Sequence, residues 1–407
     1  MSFVHPIHRA WLGTAGTGAR NYDEFASDEE ITAIVRDNPH SALAVEMPHL
    51  APESLGRSFG DSLPDAAARL EAAKREGRYR PAEDVVVLYR ITDPGTGRVS
   101  HGLFAMVDTD EISTSPEEPG RVIRNEDVFV EKVRERVELG RAVEHLLSPV
   151  LLLQTATGDE LAAALAGACA GAGEPALRDT DHVGRTHEVW PLPDGETARE
   201  LLALAAGGEL VVADGNHRSL AAQTAGLPRF LAVVTAPACL DLQPYHRLLA
   251  ELPVPVETLL GELEALGAEV TADPGHGLPE PGTVVLYAGG RARAVRLPVP
   301  EDAAAVDRLD HALVEELLFR RVLGWDPGDK RIRYIGGDYP VAWLHDQVDG
   351  GAAALAVLIA PVRVDDFVQV NLARQKMPRK STWFTPKARA GLVLAELDVA
   401  PATSVAR

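Results

Sequence analysis

The stretch Gly-Glu-Leu-Val-Val-Ala-Asp-Gly-Asn-His-Arg-Ser-Leu-Ala-Ala-Gln-Thr-Ala-Gly at 208–226 admits few backbones. Leu210, Val211, Val212 and Ala213 make an apolar run of strand length. Asp214-Gly215 interrupts it, and an Ala/Leu-rich helical segment follows at 217–225. Gly226 stands where a helix stops. Asp214, Gly215, Asn216, His217 and Arg218 therefore fall on a tight strand-to-helix turn. The first N–H groups of a helix have no partner inside it and carry the positive end of its dipole, so such a turn favours an anion. Arg218 adds a fork of donors suited to phosphate or carboxylate. Asp214 is placed to hold a metal or to orient His217. The same residues also read as an ordinary Asp-Gly turn with a surface His and Arg. The convergence of three polar side chains on one helix start is what favours a site.

Elsewhere strand and helix signals alternate. Helices are predicted at 27–37, 63–76, 128–147, 159–170, 196–206, 253–267, 307–323 and 364–374. Strands are predicted at 42–46, 85–91, 99–107, 150–154, 187–192, 230–235, 283–288, 292–297, 331–335 and 355–361. Asp93-Pro94-Gly95-Thr96-Gly97 predicts a hairpin between 85–91 and 99–107. This rhythm points to a mixed α/β (α+β) chain. At 407 residues it has room for two or three units, and a boundary is placed near 237–253. Residues 274–282 read as a loop, and 13–18, glycine-rich without a P-loop lysine, as a flexible one.

Composition excludes several classes. A formal charge of −20 with no basic tract argues against nucleic acid and membrane surfaces as partners. No apolar run reaches the ~20 residues needed to span a bilayer, and no signal peptide is visible. The cysteines, Cys169 and Cys239, show no CxxC spacing and read as buried thiols, which together predict a cytoplasmic protein. The histidines lack paired metal-ligand spacing, and no GxGxxG, GxSxG, HExxH or EF-hand pattern appears.

Three further groups are candidates. The polar segment 121–127 leads into the 128–147 helix, and its Glu126 reads either as a solvated helix-start carboxylate or as a general base. The segment 376–387 gathers basic residues around Lys380, Ser381 and Thr382, and reads either as a basic loop or as a phosphate contact. His246-Arg247 reads either as a satisfied polar pair at the domain junction or as part of a site.

Together these segments resemble the domain-of-unknown-function 1015 family. The resemblance rests on Asn38-Pro39, Arg124-Asn125-Glu126, Glu135-Arg136, Ser148-Pro149, Ala213-Asp214-Gly215-Asn216-His217-Arg218, His246-Arg247, Met377-Pro378-Arg379-Lys380-Ser381-Thr382, Pro386-Lys387 and Gly391-Leu392, in that order. The chain departs from the family pattern in three places. Asn125 stands where a His is expected, Asn216 replaces the first His of Asp-Gly-His-His-Arg, and Arg20-Asn21-Tyr22-Asp23 replaces Pro-Pro-Tyr-Asp.

More distantly the order is similar to the ParB/sulfiredoxin-like nucleotide-binding fold and its small-molecule serine kinases. That resemblance implies a core at about 100–240 within an N-terminal domain 1–245, an insertion at about 155–208, and a C-terminal α/β domain 246–407. It implies ATP or ADP with Mg²⁺ and a free serine-like hydroxy amino acid as ligands, with a homo-oligomer compatible. Glu126, Asp214 and His217 would be catalytic, with Asp214 on the metal. Gly215, Asn216, His217, Arg218, Lys380, Ser381 and Thr382 would meet the nucleotide, and Arg124, Asn125, His246 and Arg247 the substrate. A non-catalytic nucleotide or phospho-metabolite sensor, and a phosphatase of a phosphoserine-like metabolite, use the same residues and stay open.

Overall fold

The computed structural model describes residues 2–113, 119–126, 128–272 and 277–397. Asp127 of the polar segment and part of the 274–282 loop lie outside them. The fold is mixed α/β, as the alternating signals predict. Two compact units form: one of Met1–Arg124, Val128–Leu240 and Pro386–Arg407, the other of Asn125–Asp127 and Asp241–Thr385. The sequence reading has a single crossing near 237–253, whereas this division returns the chain to the first unit at Pro386.

The first unit is built on a 13-stranded mixed sheet. At its heart Leu210–Asp214 pairs antiparallel with Val150–Gln154, which pairs parallel with Arg229–Thr235, which pairs antiparallel with Val99–Asp108. The next neighbours are Tyr79–Thr92, Ile7–Gly13 and Val393–Glu396. Leu152, Val212, Ala232 and Val234 face a core completed by Leu161, Leu165 and Leu201 from the helices Gly158–Gly171 and Glu196–Ala205. Their alternates Leu151, Leu153, Val211 and Val233 are buried as well. Burial on both faces explains why these strands read as unbroken apolar runs rather than alternating ones. The segment 155–208 supplies those two helices and a hairpin whose strand Thr186–Pro193 pairs with Tyr79–Thr92.

The second unit carries a six-stranded sheet in the order Glu269–Ala272, Arg291–Arg296, Val284–Ala288, Leu355–Ile359, Tyr245–Leu249, Ile332–Gly336, with every pair antiparallel. Its core packs Leu259 and Leu263 of the helix Val256–Ala265 against Leu286, Val357 and Leu318.

Three expectations need correction. Residues 42–46 form no strand: Leu43–Glu46 is one helical turn, with Glu46 N–H donating to Ala42 O and Met47 N–H to Leu43 O, each 2.9 Å. Leu, Ala and Glu are good helix formers, and so short a run carries no period to tell strand from helix. The 128–147 helix ends at Val143, because Glu144 turns left-handed (φ 54°) and His145–Leu146 pairs as a strand with Ala395 and Glu396. The glycine loop 13–18 is pinned: Thr17 Oγ1 donates to Gly391 O at 3.0 Å, Gly16 N–H to Asp179 Oδ1 at 3.2 Å, and Arg389 Nη2 to Gly18 O at 2.7 Å.

Candidate functional site

The turn after Leu210–Asp214 has the expected geometry. Gly215 sits at φ 98°, a region side chains rarely enter, and the helix Asn216–Thr224 starts directly after it. A Cβ on Gly215 would also lie 3.0 Å from Arg218 Nε. This glycine lets the chain turn from the strand directly into the helix.

Around the turn the first unit gathers a buried network. Lys387 Nζ lies 2.9 Å from Asp214 Oδ1, with each side chain only 12% exposed. Arg218 donates to Asp214 Oδ2 and to the Pro149 carbonyl, and at 3.0 Å to Asn21 Oδ1. Asn21 Nδ2 donates to Glu24 Oε1 at 2.9 Å and to Asp214 Oδ2 at 3.4 Å. Burial by itself would raise the Asp214 carboxyl, but Lys387 and Arg218 outweigh it and hold it below the ordinary carboxylate value. Burial wins at Glu24, whose carboxyl is raised despite Lys387. The Arg218 fork expected to face a phosphate is thus engaged by protein acceptors.

His217 faces the start of the helix Val130–Val143. Its Nε2 accepts the Phe129 N–H at 3.1 Å, and its ring stacks on Phe129 with centroids 6.0 Å apart. An accepting Nε2 is unprotonated, so here the imidazole acts as a helix cap.

Beside Arg218 lies a cavity of about 90 Å³, lined by polar Glu46, Arg136 and Ser148 and by apolar Val137, Leu147, Ala221 and Phe230. Ser148 Oγ donates to Glu46 Oε1, and burial raises the Glu46 carboxyl.

The divalent metal expected on Asp214 has no fitting donor set. Both Asp214 oxygens already meet cations, and among the described residues no group of three or more His, Cys, Asp or Glu is disposed to hold a metal.

The other candidates belong to the second unit, apart from Arg124, which follows the strand Val122–Ile123 of the first. Glu126 Oε2 accepts the Lys380 N–H at 2.9 Å, and the Asn125 carbonyl accepts the Met377 N–H at 2.6 Å. Lys380 sits at φ 52°, where the chain turns toward Glu126. Arg247 is wholly buried: it donates to Arg379 O at 3.2 Å, lies 4.3 Å from the Tyr334 ring centroid, and feels the charges of Glu315 and Glu126. Ser381 is buried, and its Oγ meets no hydrogen-bond partner among the described residues. Thr382 follows it, half-buried. Asn125, Glu126, Arg247, Lys380 and Ser381 therefore belong to one neighbourhood.

His246, next to Arg247 in the chain, is buried, with Nδ1 accepting the Ile359 N–H at 3.1 Å. Burial, then the charge of Arg247, pushes its pKa down to about 3. Once unfolded it takes up a proton near 6.5, so the unfolded state binds more protons as the pH falls from 6.5 toward 3. Stability linked to His246 is complete above pH 6.5 and declines by about 1.4 kcal/mol per pH unit below it. Between pH 7 and 5 the wild type should lose about 2 kcal/mol more than His246→Gln in urea unfolding. Equal losses would mean that His246 protonates in the folded protein.

From the sequence, Asn21 and Glu24 are not expected in the site, and Lys387 is expected only as part of the basic 376–387 phosphate contact, not as the partner of Asp214. Lys387 lies in a segment that carries the family resemblance and Asn21 in one that departs from it, and they stand 173 and 193 residues from Asp214 in the chain.

A model of the family described as a protein of unknown function, DUF1015, matches residues 14–312. No curated protein matches the chain at a significant level. Among solved structures it is similar to a conserved hypothetical protein from Pyrococcus furiosus, with 12% identity, TM-score 0.38, and 70% of this chain and 93% of that one covered. It is similar to a free serine kinase in complex with AMP, with 11% identity, TM-score 0.39 and coverages of 71% and 91%. It is also similar to C-terminally truncated SbnI from Staphylococcus aureus, with 12% identity, TM-score 0.40 and coverages of 71% and 85%. Among the described residues no helix is long and apolar enough to cross a membrane.

Proposed function

The chain belongs to the DUF1015 family, and we propose that it is a phosphotransferase moving a phosphoryl group from ATP or ADP to the hydroxyl of free serine or a similar hydroxy amino acid. The observation that carries this reading is the convergence of Asp214, Arg218, Lys387 and Asn21 on a glycine-hinged strand-to-helix turn. Helix N–H groups and two cations at one point suit the phosphates of a nucleotide. An incoming phosphate competes with Asp214 for Arg218 and Lys387, so binding redistributes an ion pair that is already assembled.

Glu126 takes the hydroxyl proton as the acceptor oxygen attacks the terminal phosphorus. The bond to the bridging oxygen breaks, leaving ADP from ATP or AMP from ADP. Positioning and charge neutralisation supply most of the rate in such transfers. Mg²⁺ bound with the nucleotide would neutralise phosphate charge.

A second reading, a nucleotide or phospho-metabolite sensor, draws on the Lys380 N–H already bonded to Glu126. Incubation with hydroxy amino acids or their phosphorylated counterparts, with and without ATP or ADP and Mg²⁺, followed by mass spectrometry, separates the readings. A phosphorylated amino acid formed with stoichiometric ADP or AMP is expected. Inorganic phosphate released from the phosphorylated compound without nucleotide would make the protein a phosphatase. Thermal stabilisation by nucleotide with no product would make it a sensor.

A further inference from the structure

The second unit holds a cleft of about 680 Å³ between the helix Val314–Leu323 and the segment 376–379. That is the size of a small-molecule site, roughly 300–1,000 Å³. Two features set it apart from an incidental groove. One wall, Val314–Leu323, is a ten-residue π-helix. π-Turns are rare, usually one turn long, and concentrate at functional sites. On this wall Glu315 presents a buried Oε1 that accepts no hydrogen bond among the described residues. An acceptor left in this state calls for a donor. Burial raises the Glu315 carboxyl, and the charges of Arg247, Arg320 and Arg379 oppose that rise.

The lining is of mixed sign. Five acidic side chains, Glu315 and Asp326 among them, line it together with three basic ones, Arg320, Lys376 and Arg379, and the Arg379 backbone is held by buried Arg247.

We propose that this cleft binds a small zwitterion, a free amino acid or short peptide, with its ammonium group at Glu315 and its carboxylate on the Lys376–Arg379 wall. The site lies mostly beyond residue 312, where the family match ends. It needs no nucleotide. It also communicates with Glu126, because the segment that forms its basic wall bonds to Asn125 through the Met377 N–H and is followed by Lys380, whose N–H holds the Glu126 carboxylate.

Isothermal titration of the full chain with a panel of L-amino acids and dipeptides, without nucleotide, tests this. At least one should bind, the length preferred telling amino acid from peptide. N-acetylation and C-terminal amidation of that ligand should each weaken binding at least tenfold. Glu315→Gln and Arg379→Gln should do the same, each with its melting temperature measured alongside. Arg320→Gln, at the half-exposed end of the helix, serves as a third variant should either misfold, and should weaken binding less. The proposal is overturned if no zwitterion binds at millimolar concentration, if the blocked ligands bind equally well, or if folded Glu315 and Arg379 variants bind like the wild type. Loss of turnover in Glu126→Gln with this binding intact would uphold the kinase reading separately.

Discussion

Glu126→Gln should lower turnover by about 10²–10⁴-fold while nucleotide affinity stays within about twofold. The substitution is nearly isosteric and keeps an oxygen able to accept the Lys380 N–H, so the loop beside it stays anchored. What it removes is the capacity to take a proton. Single-turnover phosphoryl transfer, followed by quench and mass spectrometry, reads the chemical step, and fluorescence titration of the nucleotide reads binding. A fall confined to the transfer step assigns Glu126 to the acceptor proton. Full transfer in the variant removes it from the mechanism. A joint collapse of binding and transfer would instead mean that the Lys380 contact is architectural. The buried, wholly enclosed Arg247 bears on the same choice. Its guanidinium feels the Glu126 charge, so the loop that carries Glu126 is tied electrostatically to the buried core of the second unit.

How far such residues can be read ahead depends on the range of the interaction that fixes them. The strand-to-helix turn at 214–218 was legible because every force shaping it is local: an apolar run, an Asp-Gly break, a helical segment and a glycine stop. The hairpin from Tyr79–Thr92 to Val99–Asp108 was legible for the same reason. The turn at Leu43–Glu46 was not, since what fixes it is remote. Arg136 donates to the Glu46 carbonyl from 90 residues away, and Ser148 to the Glu46 carboxylate from 102. Of the partners of Asp214, Arg218 is local, but Lys387 and Asn21 are equally remote. Nothing near Lys387 in the chain signals an acid, and only the fold brings it to one. Arg218 looked outward for the same reason: beyond Asp214, its acceptors Asn21 and the Pro149 carbonyl lie far off in sequence.

Asp214→Asn should destabilise the protein by about 3 kcal/mol, the lower end of the range for stripping one partner from a buried ion pair. Asp214 is the shared counter-ion of Arg218 and Lys387, both about nine-tenths enclosed, and an asparagine leaves both cations buried without it. The loss stays at the lower end because Glu24 stands in reserve. Its carboxyl is raised first by burial and further by the Asp214 charge, with Lys387 opposing. Removing Asp214 removes that repulsion, so Glu24 ionises more readily and takes over part of the neutralisation of Lys387. Adding Glu24→Gln should therefore cost more in the Asp214→Asn background than in the wild type, a coupling that urea unfolding of the four-member cycle measures directly. Lys387→Met added to Asp214→Asn should recover stability, since it withdraws a charge that has lost its partner. If the Asp214 and Glu24 substitutions add without coupling, the two carboxylates do not share a cation, and the turn is held by Arg218 alone.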